Sequence, residues 1–523
     1  MIKEDVHTVG IFADKAFDER DMDTLHKISE DCLNWVESGE YSLLEKGILA
    51  YHGATSYSNY IYIKYKGTLS YSENINNEQD FEMCLLLFRL SIENLTYYLA
   101  NEDIKEESEE FRYVTNYLLM AYTNYANLLN TCGRIIKALS YSKIGVKRNF
   151  SMAIGNFAGF LMDYALHDYD IGHQAIFANE SYHLLKEVLE LEELDEYATE
   201  HYTYLKNRLE QWYPVEFLEE RNALKEYSFG DSEEEINYRK WCAENILFLN
   251  TLNDAFTHSI SANDILHLPD IITKIDEGSK YHGLFNQIKQ EYVSARFMVY
   301  DALSFEGAHF SDKDVHLVNT LDYPTYGISI EKMKYAYRSL YSLFDRIAFF
   351  INEYFEIGIK ERDVSYRSIW LGSINKGKNS YNLRVNLKSK MTDGETFNLP
   401  LVGLYWLCKD IGKEKVKHHY IEPAIEQISK IRHHLEHRYL KVHDSLLYPI
   451  NNDSFPKRED PLAFSITVDE FKNAAMKLIT YVREGIILLT MAVYLEEQKK
   501  RKKEDSYMSL HMDRYDDNWK QLF

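Results

Sequence analysis

Apolar residues recur every three or four positions through most of the chain, which is the spacing of amphipathic α-helices. The pattern predicts consecutive helices over residues 1–226 and a less regular helical connecting region over residues 227–330. It becomes strongly helical again over residues 331–505, and residues 506–523 are left as a C-terminal tail. The sequence therefore predicts an all-α protein with helical units at both ends.

Four helices are predicted in the C-terminal unit. A polar segment around Ser373–Arg384, between the first two of them, is expected to form a short hairpin or lid. The fourth helix starts at a capping box, in which a Thr side chain and a Glu side chain satisfy each other's backbone N–H groups. The predicted helices are about Glu331–Ile357, Leu399–Ile411, Tyr420–Val442 and Thr467–Gln498.

One internal repeat is visible in the N-terminal unit. The segment Asn124–Leu129 recurs as Asn156–Leu161, at an offset of 32 residues. Each copy is expected to start a helix that is followed by a second one, with small residues where the two helices cross. This pattern is typical of helix–turn–helix repeats, and the offset is close to the tetratricopeptide period of about 34 residues. An irregular helical bundle is the alternative interpretation.

Composition supports a helical protein in a reducing compartment. Gly (22 residues) and Pro (8 residues) are scarce, whereas all-β folds need many of them for tight turns. The five cysteines are scattered and form no paired motif, which disfavours disulfides and zinc ribbons. The N-terminus shows no signal-peptide pattern, and the longest apolar run, Ile486–Leu495, is about half of a membrane span. We expect a cytoplasmic protein without a membrane partner.

The net charge of −23 disfavours diffuse binding to nucleic acid, so an RNA site would have to be a local basic island. Residues 413–443 form such an island, because seven Lys or Arg residues outnumber four Glu residues there. Six of the nineteen histidines also lie in this segment. Arg432 and His437 carry the chemistry that we expect from it. Histidine can move protons near neutral pH, and arginine can hold two phosphate oxygens at once.

The segment Arg432-His433-His434-Leu435-Glu436-His437-Arg438-Tyr439 resembles the Arg-x4–6-His motif of HEPN (higher eukaryote and prokaryote nucleotide-binding) ribonucleases, in an extended Arg-x4-His-x-Tyr form. The resemblance implies a helical-bundle domain at about 331–500 and a metal-independent endoribonuclease without a cofactor. It also implies that the domain pairs into a homodimer and that the protein is a toxin or anti-phage effector. In such proteins the N-terminal repeats would sense or dock a partner.

The residue roles that follow from this interpretation are predictions. Arg432 and His437 are catalytic, and Asp345 is the polar residue of the first helix that faces the motif. His433, Glu436 and Tyr439 are supporting residues, with Glu436 able to orient Arg432 as an i, i+4 pair. The predicted RNA contacts are Lys430, Arg438 and Lys441.

Three other interpretations of the same residues stay open. An offset of five residues turns a regular helix by roughly 140°, so either the helix ends near His437 or a second copy completes the site. His433 and His437 could form part of a zinc site with Glu436, although no third ligand has suitable spacing. The whole chain could instead be a non-catalytic scaffold whose repeats bind a protein and whose C-terminal domain binds RNA.

Overall fold

The computed structural model of the chain is built almost entirely of helices, which confirms the all-α prediction. It describes residues 4–66, 73–101, 104–191, 194–221, 224–272, 278–305, 307–320, 322–375, 380–412, 415–416, 419–422, 424–444, 460–503, 509–510, 513, 515 and 517–521. Lys413, Glu414, Lys417 and His418, which were part of the basic-island prediction, lie outside the described residues, as does most of the predicted tail.

The first eleven helices form the N-terminal region, in which neighbours along the chain pack on each other. Both copies of the internal repeat lie in the first helix of a packed pair. The first copy, however, occupies the end of a helix that begins at Glu109, so the expectation that each copy starts a helix is wrong there. The helices are α1 (Glu4–Asp18), α2 (Met22–Glu37), α3 (Leu43–Lys64), α4 (Glu73–Asn76), α5 (Glu78–Asn101), α6 (Glu109–Thr131), α7 (Ile135–Val146), α8 (Ser151–His167), α9 (Ile171–Leu189), α10 (Glu196–Trp212) and α11 (Val215–Glu219).

The remaining helices form the connecting and C-terminal regions. The long last helix, α19, packs against α14, α15 and α17, while α18 packs on α15. These helices are α12 (Glu233–Glu244), α13 (Leu252–Ala255), α14 (Lys280–Ser304), α15 (Ile328–Tyr354), α16 (Val385–Thr392), α17 (Leu399–Ile411), α18 (Ile425–His437) and α19 (Val468–Lys503).

Short strand pairs complete the described fold. The polar segment between α15 and α16 forms an antiparallel hairpin, as expected for the residues around Ser373–Arg384. The four pairs are β1 (Ile271–Ile272) with β8 (Ser509–Leu510), β2 (Leu371–Asn375) with β3 (Ser380–Leu383), β4 (Lys415–Val416) with β5 (His419–Tyr420), and β6 (Tyr439–His443) with β7 (Ala463–Thr467).

The start of α19 shows why its position could be predicted from sequence. The Thr467 hydroxyl accepts the Glu470 backbone N–H at 3.2 Å, and the Glu470 carboxylate accepts the Thr467 N–H at 2.7 Å. This is the expected capping box. The predicted limits of Leu399–Ile411 also match α17.

The predicted third helix is wrong at its C-terminal end. We expected helix to Val442, but α18 ends at His437, and Tyr439–His443 form a strand that pairs in parallel with Ala463–Thr467. Arg438 leaves the helical conformation, with φ −141° and ψ −137°. Among the residues that follow, Leu440 and Val442 are apolar at alternate positions, which suits a strand. The motif therefore spans a helix-to-strand junction.

The N-terminal helices pack directly against the C-terminal helices. Gly133, with φ +71°, brings its backbone against that of Gly403 in α17, and a Cβ atom at Gly133 would lie 2.5 Å from the Leu399 carbonyl oxygen. Next to it, Arg134 is buried and pairs with Asp410 and Glu484, both at 2.6 Å. One continuous hydrophobic core runs through both regions.

The helix α19 is long and apolar enough to cross a membrane by length and composition alone. However, 83% of its most apolar stretch is buried inside the protein, where it contacts α14, α15 and α17. Its apolar character is therefore explained by its place at the centre of the C-terminal bundle.

Candidate functional site

Arg432 is held on the inner side of α18, facing α15. Its guanidinium carbon lies 5.2 Å from the centroid of the Tyr341 ring, which is a cation–π arrangement. Within the part of the chain that the structure describes, no carboxylate lies within ion-pair distance of Arg432. The guanidinium is thus oriented by an aromatic face, and its N–H donors are not used by an acid.

His437 is the last residue of α18, and its side chain is exposed. Its ring lies against the ring of His433, one turn earlier, with 5.3 Å between centroids. Among the described residues, no hydrogen-bond acceptor or donor contacts its ring nitrogens. An exposed imidazole at a helix end is accessible to a substrate and can exchange protons with it.

Arg432 and His437 differ in their surroundings within one chain. Arg432 is half-buried against α15, whereas His437 is exposed beside His433. The end of α18 at His437 agrees with the first of the two possibilities raised by the five-residue offset. The structure brings Arg432 together with Tyr341, and His437 together with His433.

The end of α18 is fixed by Arg338, a residue that the sequence interpretation missed. The Arg338 guanidinium, on α15, donates to the Leu435 carbonyl oxygen in the last turn of α18. The Arg438 backbone N–H donates to the His434 carbonyl oxygen at 3.1 Å. Last-turn carbonyl groups lack partners within a helix, so a side-chain donor stabilises the end. Only the helical spacing of Arg338 and Tyr341 on α15 could have pointed to this role.

Asp345, predicted to face the motif, lies one helical turn beyond Tyr341 on α15. Its side chain is exposed and accepts the Tyr366 backbone N–H at 2.9 Å. Burial raises the pKa of the Tyr341 hydroxyl; Arg432 opposes this shift and the Asp345 charge adds to it. Asp345 therefore lies near the Arg432–Tyr341 pair without forming an ion pair with Arg432.

The first residues of β6 lie against two carboxylates. The Tyr439 hydroxyl donates to Asp460, and the Lys441 ammonium contacts Asp322 at 2.6 Å and Asp460 at 3.0 Å. Lys441 is only 5% exposed. This geometry contradicts the prediction that Lys441 contacts RNA, since its charge is already neutralised inside the protein. Asp322 and Asp460 were not singled out from sequence because they are distant from Lys441 along the chain.

The other predicted contacts are at the surface. Lys430 pairs with Glu426 at 2.7 Å, and both side chains are about half exposed. Arg438 and Glu436 are exposed. The predicted pair between Glu436 and Arg432 is absent among the described residues, because Arg432 turns toward Tyr341 instead.

His433, His437 and Glu436 do not assemble a metal site in this chain. Throughout the ranges given above, no three His, Cys, Asp or Glu side chains converge as a metal-binding group. The contacts of His433 with His434 and His437 are ring contacts, with centroids 5.3 Å apart in each case.

The helical bundle, with the motif at the end of one of its helices, is similar to one known domain family. Residues 272–496 match the family model described as LA2681-like HEPN. The matched segment includes α14, α15, α17 and α18, and it therefore contains both Arg432 and His437. It begins before residue 331, which was the predicted start of this domain; the predicted boundaries at 226, 330 and 505 stay predictions. No curated protein and no solved structure matches the chain.

Proposed function

We propose that this protein is a metal-independent endoribonuclease whose catalytic residues are Arg432 and His437. The observation that carries the proposal is the state of Arg432: its guanidinium is oriented over Tyr341 and has no carboxylate partner among the described residues. A structural arginine inside a bundle is normally paired, as the buried Arg89 and Arg134 are here. An unpaired one, five residues before an exposed histidine, suits a phosphate.

The proposed reaction needs one anion-binding group and two proton transfers. A base removes the proton from a ribose 2′-OH, and this oxygen forms a bond to the adjacent phosphorus. The bond from phosphorus to the 5′-oxygen then breaks, and an acid protonates the leaving oxygen. The products are a 2′,3′-cyclic phosphate and a 5′-hydroxyl. Arg432 stabilises the charge on the phosphorus oxygens, and His437 performs a proton transfer.

A homodimer would supply the second proton-transfer group. Each chain offers one exposed His437 at the end of α18, whereas the reaction uses a base and an acid. Two copies that place their α18 ends in one cleft would contribute a histidine each. His433, whose ring contacts that of His437, supports its position in this arrangement.

The RNA would be held by exposed cations next to the motif. Lys430 and Arg438 have accessible side chains, and Arg438 adjoins His437 directly. Glu422, one of the four acids counted in the basic island, is buried and paired, so it does not reduce the positive charge of this surface. Lys441, one of the seven cations of the island, is likewise buried and paired, so these two residues together leave the excess of cations over acids unchanged.

We further propose that the nuclease acts as a regulated toxin or anti-phage effector, with the N-terminal helices as a tetratricopeptide-like docking module. The test is growth of cells that produce the full chain, with total RNA examined in parallel. An Arg432→Ala/His437→Ala variant is expected to abolish both growth arrest and RNA breakdown. A matched control is Arg346→Ala/His316→Ala, which removes the same residue types at exposed positions outside the motif.

The outcome separates an enzyme from a scaffold. Growth arrest that persists in the motif variant, at equal protein levels, would contradict catalysis and favour a non-catalytic protein that binds RNA or a protein partner. Loss of arrest in the control variant as well would contradict the assignment of the activity to Arg432 and His437.

A further inference from the structure

The start of the motif helix is held by a residue of the N-terminal region. Arg89, on α5, donates from one terminal guanidinium nitrogen to the Ile421 carbonyl oxygen at 2.6 Å, just before α18 begins. The Arg89 Nε lies 3.8 Å from the Glu422 carboxylate and donates to the Tyr125 hydroxyl at 2.6 Å. The other terminal nitrogen reaches Asp410 on α17 at 3.0 Å. One guanidinium thus joins four groups from three parts of the fold.

Glu422 carries this connection into the helix itself. Its carboxylate accepts the Ala424 backbone N–H at 3.2 Å, and the Glu422 carbonyl oxygen accepts the Ile425 N–H at 3.0 Å, where α18 starts. From α19, the Lys477 ammonium and the Tyr481 hydroxyl contact the same carboxylate at 2.7 and 2.8 Å. The first turn of α18 is therefore held both by α5, through Arg89, and by α19, through Lys477 and Tyr481.

Both side chains are buried, so these contacts are not exchanged for water. Arg89 is 6% exposed and Glu422 is 8% exposed. A planar guanidinium offers its donors in a fixed geometry, so the four partners must keep their relative positions to remain bonded. Burial alone would raise the pKa of Glu422, but Lys477 and Arg89 outweigh it and hold that pKa well below its ordinary value.

We propose that Arg89 is a positioning residue for the nuclease site, and that the N-terminal helices are part of the support of this site. Arg89 acts through Ile421 and Glu422 on the first turn of α18, while Arg338 fixes its last turn. Arg432 lies between these two anchors, and His437 follows the second one, at Leu435, by two residues. The expected effect on catalysis rests on the proposed ribonuclease activity. The connection between Arg89 and α18 can be measured without that activity.

The chain offers a matched control on the same helix. Glu82 and Glu78 of α5 contact the Lys409 ammonium of α17, with a Glu78 distance of 2.5 Å. This ion pair crosses the same boundary between the N-terminal and C-terminal helices, and its members lie on α5 and α17 rather than on α18. Glu82→Gln therefore weakens the boundary without touching the motif helix.

The experiment compares full-length wild type, Arg89→Lys and Glu82→Gln by hydrogen exchange and by RNA cleavage. Lysine keeps the charge of Arg89 but loses the fork that reaches Ile421 and Asp410 together. We expect the amides of Ile425–His437 to exchange about tenfold faster in Arg89→Lys and at the wild-type rate in Glu82→Gln. We expect kcat to fall about tenfold in Arg89→Lys with KM nearly unchanged, because the RNA contacts remain and the catalytic geometry loosens.

Three outcomes would overturn the proposal. Wild-type exchange in α18 of Arg89→Lys overturns the proposal, and so does faster exchange with an unchanged kcat. Equal effects of Arg89→Lys and Glu82→Gln on both readouts also overturn it, since the role would then be general stability. If the wild type cuts no RNA, the proposed function fails, and the exchange comparison still decides whether Arg89 holds α18.

Discussion

The guanidinium of Arg432 lies over the ring of Tyr341, with 5.2 Å between its central carbon and the ring centroid. This contact links the motif helix α18 to α15, the second long helix of the matched segment. It orients the cation without neutralising it, as an ion pair with a carboxylate would. An arginine that must receive a phosphate benefits from this kind of support, because no acid has to be displaced.

The first prediction concerns the ring of Tyr341. Tyr341→Phe keeps the aromatic face and is expected to retain cleavage activity within about twofold of the wild type. Tyr341→Leu removes the cation–π contact, which contributes about 1 kcal/mol, so cleavage should fall about fivefold. Steady-state RNA cleavage measures the activity of both variants, and thermal unfolding shows whether they remain folded. Equal loss in both variants would contradict a role for the aromatic face.

The second prediction separates Lys441 from Arg438. Lys441→Met leaves Asp322 and Asp460 without their cation and is expected to lower the free energy of unfolding by about 1–3 kcal/mol. Arg438→Ala alters an exposed residue and should change stability by less than about 0.5 kcal/mol. It should instead lower the slope of log RNA affinity against log salt concentration by the equivalent of about one phosphate contact. Urea unfolding measures the stability of both variants, and RNA binding at several salt concentrations measures their affinity. A loss of stability in Arg438→Ala together with a change in RNA affinity alone in Lys441→Met would refute the prediction.

The third prediction tests the contact between the N-terminal helices and α17. Gly133→Ala places a Cβ atom 2.5 Å from the Leu399 carbonyl oxygen at a backbone φ of +71°, so it should cost at least about 2 kcal/mol of unfolding free energy. Gly283→Ala is the control, because that glycine lies in α14 with open space around it. It should stabilise the protein by about 0.5–1 kcal/mol. An unchanged thermal stability of Gly133→Ala would contradict the close packing of Gly133 against α17.

The fourth prediction is a pH dependence that arises from Lys137. Burial lowers the pKa of Lys137 to about 8, and its ammonium lies between the rings of Tyr141 and Tyr481, 5.3 and 5.0 Å from their centroids. Between pH 8 and the ordinary value of 10.5, the unfolded chain binds more protons at this residue than the folded chain does. The contribution of Lys137 to the free energy of unfolding therefore rises with pH over this window.

A Lys137→Met variant isolates that contribution. The variant lacks the buried charge, so its stability advantage over the wild type is expected to be about 2 kcal/mol near pH 7 and to vanish by about pH 10.5. Chemical unfolding at several pH values measures the difference between the two proteins. A difference that stays constant with pH would rule out Lys137 as the source.

Local patterns in the sequence were sufficient to predict several elements. The capping box at Thr467 and the apolar spacing of Leu399–Ile411 depend on residues within one helix, and both predictions are confirmed. The end of α18 was placed five residues too late, because the strand Tyr439–His443 exists only through its pairing with Ala463–Thr467. Non-local pairing of this kind overrides a helical pattern that continues along the chain.

The support of the site could not be predicted because its partners are far apart in sequence. Arg134 and Glu484 are 350 residues apart, and Arg89 and Ile421 are 332 apart. No local spacing reports such pairs. They also determine how a fragment without the N-terminal helices would behave. Because a fragment of residues 331–505 would leave Asp410 and Glu484 without Arg134, we expect it to be unstable rather than more active.

Cleavage of total cellular RNA by the purified protein in excess EDTA decides whether Arg432 and His437 form a nuclease site. We predict that the wild type cuts RNA and leaves 2′,3′-cyclic phosphate ends, and that Arg432→Ala/His437→Ala does not. The Arg346→Ala/His316→Ala control should cut as the wild type does. Equal cleavage by the wild type and by Arg432→Ala/His437→Ala would contradict catalysis by these two residues.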